Sequence, residues 1–140
     1  MWLRTIVLIR ITLLGVTESL RAELEPLGIK VTIIEPGYLR TSVLSTTNLK
    51  HAQPISDYEP VMDRVKKFHE GYDGKQPGDP KKACERIVDI VTQSGMANGR
   101  EIPVRVALGT DAYQVIGDMI DKSHSDLEAW KDVTVSTDFA

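Results

Sequence analysis

Apolar positions near the start of the chain recur at steps of three or four, the period of an α-helix with one buried face. Pro26 has no N–H to donate in the last turn, and Gly28 tolerates a positive φ, so the pattern predicts a helix that ends at Gly28. We expect its apolar face to be buried. The positions are Leu13, Val16, Leu20, Leu24 and Leu27.

The segment from residue 29 to residue 35 is a nearly continuous apolar run with several β-branched side chains. Such a run is typical of a parallel strand that is covered on both faces. Pro36 and Gly37 end it, so residues 11–37 are predicted to form one helix and one strand. Residues 1–10 are also apolar, but they are too few to cross a bilayer and no cleavage signal follows, so we predict a helix entry.

The stretch from Arg40 to Asp57 is polar and has no strong period, which indicates a loop. Residues 58–72 return to helical spacing, and Ser56 and Glu59 stand in the register of a capping box. A short amphipathic helix is predicted there. Its apolar positions are Val61, Met62, Val65, Phe68 and Tyr72.

Asp79 and Pro80 form a strong helix-start signal, an N-cap residue followed by proline in the first turn. The pattern predicts a helix over residues 79–95 with Gly95 as its stop. Cys84 falls on the apolar side of this helix, so we interpret it as a small buried side chain rather than a reactive thiol. The full apolar stripe is Ala83, Cys84, Ile87, Val88 and Val91.

Residues 103–140 predict a last strand, helix and tail. The strand opens at Pro103 with alternating apolar residues and ends at Gly109, after which Thr110 or Asp111 can cap the helix. Ser125 and Asp126 suggest a restart, and the end reads as irregular. The fold class is therefore α/β with two parallel strands, too few to shelter the apolar sides of all these helices.

Composition narrows the function classes. The 140 residues suffice for one domain, and a net charge of -3 with pI near 5.6 gives no basic footprint for nucleic acid. The single cysteine cannot form an intrachain disulfide, so a cytoplasmic setting is expected. His51, His69 and His124 are isolated, which predicts no metal site.

Several motifs resemble the short-chain dehydrogenase/reductases. The strand exit Pro36-Gly37-Tyr38-Leu39-Arg40-Thr41 matches that family's Pro-Gly-x-x-x-Thr, and QPGDPKKA at 76–83, VALGTDAY at 106–113 and LEAWKDVTVSTDF at 127–139 continue the likeness. The resemblance implies a partial Rossmann-type doubly wound sheet, with the last two parallel strands and their helices. The nucleotide-binding half that the family places before them is missing from this sequence.

The family's reaction passes a hydride between a nicotinamide and a carbonyl or alcohol carbon, while a Tyr handles the oxygen's proton. A Lys four residues later lowers the pKa of that phenol. Counting back from Gly15 in the matching helix, these positions fall on Ile6 and Arg10. None of the tyrosines in the sequence has a lysine four residues later, so no catalytic residue is predicted. The resemblance also implies that a nicotinamide cofactor, NAD or NADP, would lie against four residues of the strand exit. They are Pro36, Gly37, Leu39 and Thr41.

Two functional hypotheses stay open at this point. The first is a truncated, catalytically inactive short-chain dehydrogenase/reductase whose intact form acts on an apolar carbonyl or alcohol, with residues 40–75 as a lid or as a plain surface excursion. The second is a non-catalytic interaction protein. It would form homo- or hetero-oligomers with a full-length family member through the helix at residues 10–27.

Overall fold

The computed structural model describes residues 2–45, 48 and 55–139, and only the backbone of residues 2–11. It is an α/β arrangement around a two-stranded parallel sheet, as the sequence predicts. The elements are α1 (Trp2–Leu24), β1 (Ile33–Pro36), α2 (Glu59–Tyr72), α3 (Pro80–Thr92), β2 (Arg105–Leu108), α4 (Thr110–Ala129) and α5 (Lys131–Val135), with short 3-10 turns between them.

Helix α1 begins at Trp2, so the predicted helix entry is already helical. Its last turn tightens into a 3-10 turn at Glu25–Leu27, which holds Pro26, and Gly28 ends it with a φ of 73°. This agrees with the predicted termination, because proline cannot donate in the α-helical ladder and glycine accepts the left-handed conformation.

The apolar stripe of α1 is largely exposed, which differs from the buried face expected from its period but agrees with the prediction that two strands are too few to shelter all the helices. Leu13 is 49% exposed and Val16 is 58% exposed. The helix turns a neighbouring side toward the sheet, and that side carries half-buried residues instead. These are Leu14, Thr17, Arg21 and Leu24.

The sheet is shorter than predicted because pairing starts late. The Ile33 N–H donates to the Val104 carbonyl at 2.8 Å, and Ile33 is in register with Arg105. Residues 29–32 lie before this point, and Ile29 is 50% exposed, so the predicted strand over residues 29–35 was too long and its first part is not covered. Arg21 of α1 donates to the carbonyls of Val31 and Ile102, which ties the helix to the segments that lead into both strands.

A buried ion pair links the two strands. Glu35 in β1 is 4% exposed, and its carboxylate pairs with the guanidinium of Arg105 in β2. A carboxylate in that position would be costly without such a partner. The pair is therefore a polar cross-link inside a strand whose sequence is otherwise apolar.

Helix α2 starts at Glu59 after a 3-10 turn over Ser56–Tyr58. The predicted capping box is wrong, because no side chain caps the helix start. The Ser56 hydroxyl instead lies 3.4 Å from the Asp57 carboxylate, and Pro60 occupies the first turn.

Helix α3 begins as predicted, since the Asp79 carboxylate accepts from the N–H groups of Lys81 at 2.8 Å and Lys82 at 3.3 Å. It ends at Thr92 rather than at Gly95, because Gln93 itself adopts the left-handed conformation with a φ of 50°. Cys84 is exposed, which corrects its assignment to a buried face. The helix instead turns Ala83 inward, and Cys84 shares an open side with Val88 and Val91.

Helix α4 runs through Ser125 and Asp126 without a break, and α5 makes part of the predicted irregular tail helical. Gly109 stands at the N-cap position of α4 without a side-chain hydrogen bond, so neither Thr110 nor Asp111 caps it. Among the described residues no helix is both long enough and apolar enough to cross a bilayer. The buried apolar side chains of the described part of the chain are Leu44, Ala83, Ile102 and Ala112.

Candidate functional site

The candidate site lies at the carboxyl ends of β1 and β2. Pro36 is the last residue of β1 and is in register with Leu108. The Gly37 N–H donates to the Leu108 carbonyl at 2.8 Å, so the pairing continues one residue past the strand. In open α/β sheets ligands bind beyond the carboxyl ends of the strands, which makes residues 36–41 the natural place to look.

Asp111, in the first turn of α4, holds this strand exit in place. Its Oδ2 accepts from the Tyr38 N–H at 2.6 Å. Its carboxylate also lies directly against Gly37, where an added Cβ would overlap the carboxylate atoms. Only glycine leaves room for this approach, so the Gly37 of the motif has a packing reason in this chain.

A second segment runs alongside the strand exit. Leu39 and Gly78 form a parallel bridge, in which the Arg40 N–H donates to the Gly78 carbonyl at 2.8 Å and the Gly78 N–H donates to the Tyr38 carbonyl at 3.1 Å. These backbone hydrogen bonds hold the turn before α3 against residues 38–40. The turn that carries Gly74 and Gly78 therefore forms one side of the site.

Gln76 is the most buried side chain at the site, with no exposed surface. Its Nε2 lies 3.5 Å from the Thr41 carbonyl, while its own backbone carbonyl accepts from Arg40 Nε at 2.9 Å. Its Oε1 has no hydrogen-bond partner among the described residues. Gln76 opens the QPGDPKKA segment that carries the resemblance, but sequence reasoning gave it no role at the site, because no periodic pattern marks it as buried.

Thr41 starts the 3-10 turn Ser42–Leu44. Its hydroxyl oxygen accepts from the Val43 N–H at 3.4 Å, and Leu44 at the end of the turn is buried. Because the hydroxyl acts as an acceptor here, its own hydrogen is left to bond elsewhere.

Three aromatic rings meet beside the strand exit. Tyr38 lies 5.3 Å from Tyr72 in an edge-on arrangement and 5.8 Å from Phe68, and Phe68 and Tyr72 are stacked at 5.1 Å between centroids. These are favourable spacings for aromatic pairs. This aromatic cluster (Tyr38, Phe68 and Tyr72) joins helix α2 to the end of β1.

The structure brings the four predicted cofactor-contact residues, Pro36, Gly37, Leu39 and Thr41, onto one short segment. Ile6 and Arg10 lie one turn apart in the backbone of α1, and their side chains are outside the described residues, as is His51. Within the described part of the chain no group of three or more His, Cys, Asp or Glu residues could hold a metal ion.

Two concavities were found in the described part of the chain, and the first of them reaches Leu108 at the end of β2. One of about 320 Å³ lies between α3 and β2, and one of about 370 Å³ lies against α1 near Val104. None of the four predicted cofactor-contact residues lines either of them. We therefore describe the strand exit by its own contacts, as one wall of a candidate site.

The chain is similar in sequence to several known proteins. No family model matches the chain. An uncharacterized oxidoreductase of Schizosaccharomyces pombe is 32% identical over 130 residues, covering 90% of this chain and 40% of that protein. Human retinol dehydrogenase 16 is 35% identical over 78 residues, covering 55% of this chain and 23% of that protein.

A solved structure agrees with these relatives. A short-chain dehydrogenase from Streptomyces avermitilis superposes with a TM-score of 0.68 at 30% identity, covering 91% of this chain and 43% of that one. The chain is related to the short-chain dehydrogenase/reductases. As a relative of that family it contains a partial Rossmann fold, and it spans less than half the length of the curated relatives it matches.

Proposed function

We propose that the strand exit of this short-chain dehydrogenase/reductase relative is the nicotinamide-side wall of an NAD(P)-dependent oxidoreductase that acts on an apolar carbonyl or alcohol. The observation that carries the proposal is the placement of Pro36, Gly37, Leu39 and Thr41 at the carboxyl ends of two parallel strands. The oxidoreductases named among the relatives support the same reaction class.

The residues at this edge fit the nicotinamide end of the cofactor and not its phosphates. The Thr41 hydroxyl has a hydrogen to donate to a carboxamide oxygen. Gly109 does stand between β2 and α4, but Asp111 in the first turn of that helix would repel a pyrophosphate. Bound NAD or NADP would supply or accept the hydride, and the residues described here would bind and orient its nicotinamide end.

We further propose that the 140-residue chain alone does not catalyse the reaction. Ile6 has no proton to exchange with a substrate oxygen. Arg10 keeps the positive charge of the family's lysine, but without a phenol at residue 6 that charge has no proton donor to tune. Binding and proton transfer would both depend on groups outside this chain.

The aromatic cluster favours an apolar substrate. Tyr38, Phe68 and Tyr72 place ring surface next to the strand exit, and Phe68 is 43% exposed. Helix α2 would then act as part of the lid. The human relative is named a retinol dehydrogenase, and retinol is an apolar alcohol.

Two experiments test the proposal. Titration of NADPH and NADH with the purified chain, followed by nucleotide fluorescence, should show no saturable binding and no turnover of apolar aldehydes. A chimaera that places the nucleotide-binding half of a characterised family member, with its Tyr and Lys, before residue 11 should reduce such aldehydes with NADH or NADPH. A folded chimaera that binds nucleotide but reduces no aldehyde or ketone would contradict the proposal.

An interaction role is the second candidate, and one observation favours it. The stripe of α1 exposes Leu13, Val16 and Leu20, all more than 40% accessible. Exposed apolar surface on one helix face is typical of an interface. Copurification with a full-length family member, which α1 variants abolish, would support this role.

A further inference from the structure

Tyr38 is the point where three separate parts of the chain meet. Its backbone N–H donates to Asp111 of α4, its backbone carbonyl accepts from Gly78 before α3, and its ring contacts Phe68 and Tyr72 of α2. The position of the aromatic cluster therefore depends on where the main chain of residue 38 is held.

The Asp111 contact is the only one of these three that involves a charged group. The 2.6 Å distance from Tyr38 N to Oδ2 is short even for a hydrogen bond to a carboxylate. The other oxygen, Oδ1, is buried and has no hydrogen-bond partner among the described residues. A carboxylate with one buried oxygen left unpaired costs free energy, so stability alone is a poor explanation for an aspartate here.

The surroundings of Asp111 show why its carboxylate is held in one place. Gly37 leaves the space that the carboxylate occupies, and Asp111 sits in the first turn of a 20-residue helix, where a negative charge is favoured by the helix dipole. The carboxylate is thus attached to helix α4 and accepts a hydrogen bond from the Tyr38 N–H. It connects α4 to the strand exit.

We propose that Asp111 is a positioning residue, which fixes the main chain at Tyr38 and through it sets the place of the aromatic cluster beside the candidate site. Its consequence for substrate binding rests on the proposed function. Its effect on Tyr38 does not, and it is measurable in the chain without any ligand.

The test compares three variants of the full chain by ¹H–¹⁵N and NOE spectroscopy. Asp111→Ala removes the acceptor, and Asp111→Asn keeps an oxygen of the same shape. Asp118→Ala is the matched control, since that carboxylate lies on the same helix, is exposed and bonds only to the Gln114 amide among the described residues. The readouts are the amide proton shift and exchange rate of Tyr38, and NOE contacts from its ring to Phe68 and Tyr72.

We expect Asp111→Ala to move the Tyr38 amide proton upfield, to speed its exchange by roughly tenfold, and to weaken the ring contacts. Asp111→Asn should restore most of each readout, and Asp118→Ala should change none. Unchanged Tyr38 exchange and ring contacts in a folded Asp111→Ala chain would overturn the proposal.

A fourth variant keeps the proposal testable if Asp111→Ala does not fold. Gly37→Ala adds a Cβ where the carboxylate lies, so it should displace the carboxylate and reproduce the Tyr38 changes while Asp111 is still present. An unaltered Tyr38 amide in that variant would count against the proposal. A chimaera that binds nucleotide but reduces no aldehyde or ketone would bear only on the proposed function, because every readout here is made on the free chain.

Discussion

The strand exit and the apolar stripe of α1 differ in how far contacts within the chain cover their side chains. At the strand exit, polar groups are buried and bonded within the chain: Glu35 is 4% exposed and paired, and Gln76 has no exposed surface. Along α1, the apolar residues Leu13 and Val16 are about half exposed. The site wall is thus defined by specific contacts inside this chain, whereas the helix presents surface that nothing in the described part of the chain covers.

This contrast bears on what each region needs in order to form. Hydrogen bonds and an ion pair hold residues 35–41 in place. Their partners lie in β2, α4 and the turn before α3, which are close in space although distant in sequence. An apolar helix face is stabilised only when another apolar surface covers it. The contacts that hold the candidate site are therefore made within the described part of this chain.

The largest effect is expected from breaking the buried ion pair. Arg105→Met leaves the buried Glu35 carboxylate without its partner, which should lower the free energy of unfolding by about 3–5 kcal/mol, or prevent folding altogether. The double variant Glu35→Leu with Arg105→Met should recover most of this loss, because it removes both charges. Urea denaturation followed by circular dichroism measures it.

An exposed pair provides the control for that comparison. Lys122 and Asp126 on α4 lie 2.5 Å apart with both side chains more than half exposed. Lys122→Ala should change the free energy of unfolding by no more than about 0.5 kcal/mol. If Arg105→Met were no more damaging than Lys122→Ala, the strand exit would not depend on its buried pair.

Two substitutions of Gln76 separate the contributions of packing and of hydrogen bonding to the stability of the strand exit. Its amide makes one long bond and leaves Oε1 unpaired, so Gln76→Leu, which keeps most of the volume, should cost less than about 1 kcal/mol. Gln76→Ala opens a cavity and should cost about 2 kcal/mol or more. Thermal melts of the two variants in parallel test this order, and a leucine variant as unstable as the alanine one would show that the amide bond matters more than the packing volume.

The cap of α3 gives a smaller and cleaner effect. Asp79→Ala removes the acceptor for the Lys81 and Lys82 N–H groups and should lower the free energy of unfolding by about 1 kcal/mol. Asp79→Ser should restore most of it, since serine is also a good N-cap. Equal stability of the alanine and serine variants would mean that α3 does not need its cap.

Local signals were the part of the fold that the sequence predicted well. The Pro26–Gly28 helix end, the Asp79 cap, the location of each strand and the strand exit at Pro36 all depend on neighbouring residues. Features that depend on distant partners were missed. Asp111 looked like a cap from its neighbours, but its partner Tyr38 is 73 residues away, and no periodic pattern marks Gln76.

Burial was the main error, and it has one physical cause. Periodicity shows that Val16 or Cys84 belongs to an apolar face, but it does not show whether the chain supplies a surface to cover that face. With two strands in the sheet, α1 and α3 each leave an apolar side open. Predicting a periodic face correctly is thus a weaker statement than predicting a core.

The smallest effect on the free energy of unfolding is expected from substitutions in the apolar stripe of α1. These substitutions test whether the stripe serves association and not folding. Val16→Gln with Leu20→Gln replaces two exposed apolar side chains by a good helix former, so the free energy of unfolding should change by less than about 0.5 kcal/mol each. Association should change much more, because the stripe would lose its apolar centre. We expect the unaltered chain to elute as an oligomer in size-exclusion chromatography and the double variant to shift toward monomer.

Ser19→Gln, at an exposed polar position of the same helix that is not part of the stripe, is the matched control, and it should leave the elution volume unchanged. If the unaltered chain is monomeric and unfolds cooperatively, the stripe is stable while exposed to solvent. Helix α1 would then need no second chain to cover it. A shift of the double variant alone would instead show that association completes this region, since the apolar area lost from α1 is the only difference between the two proteins.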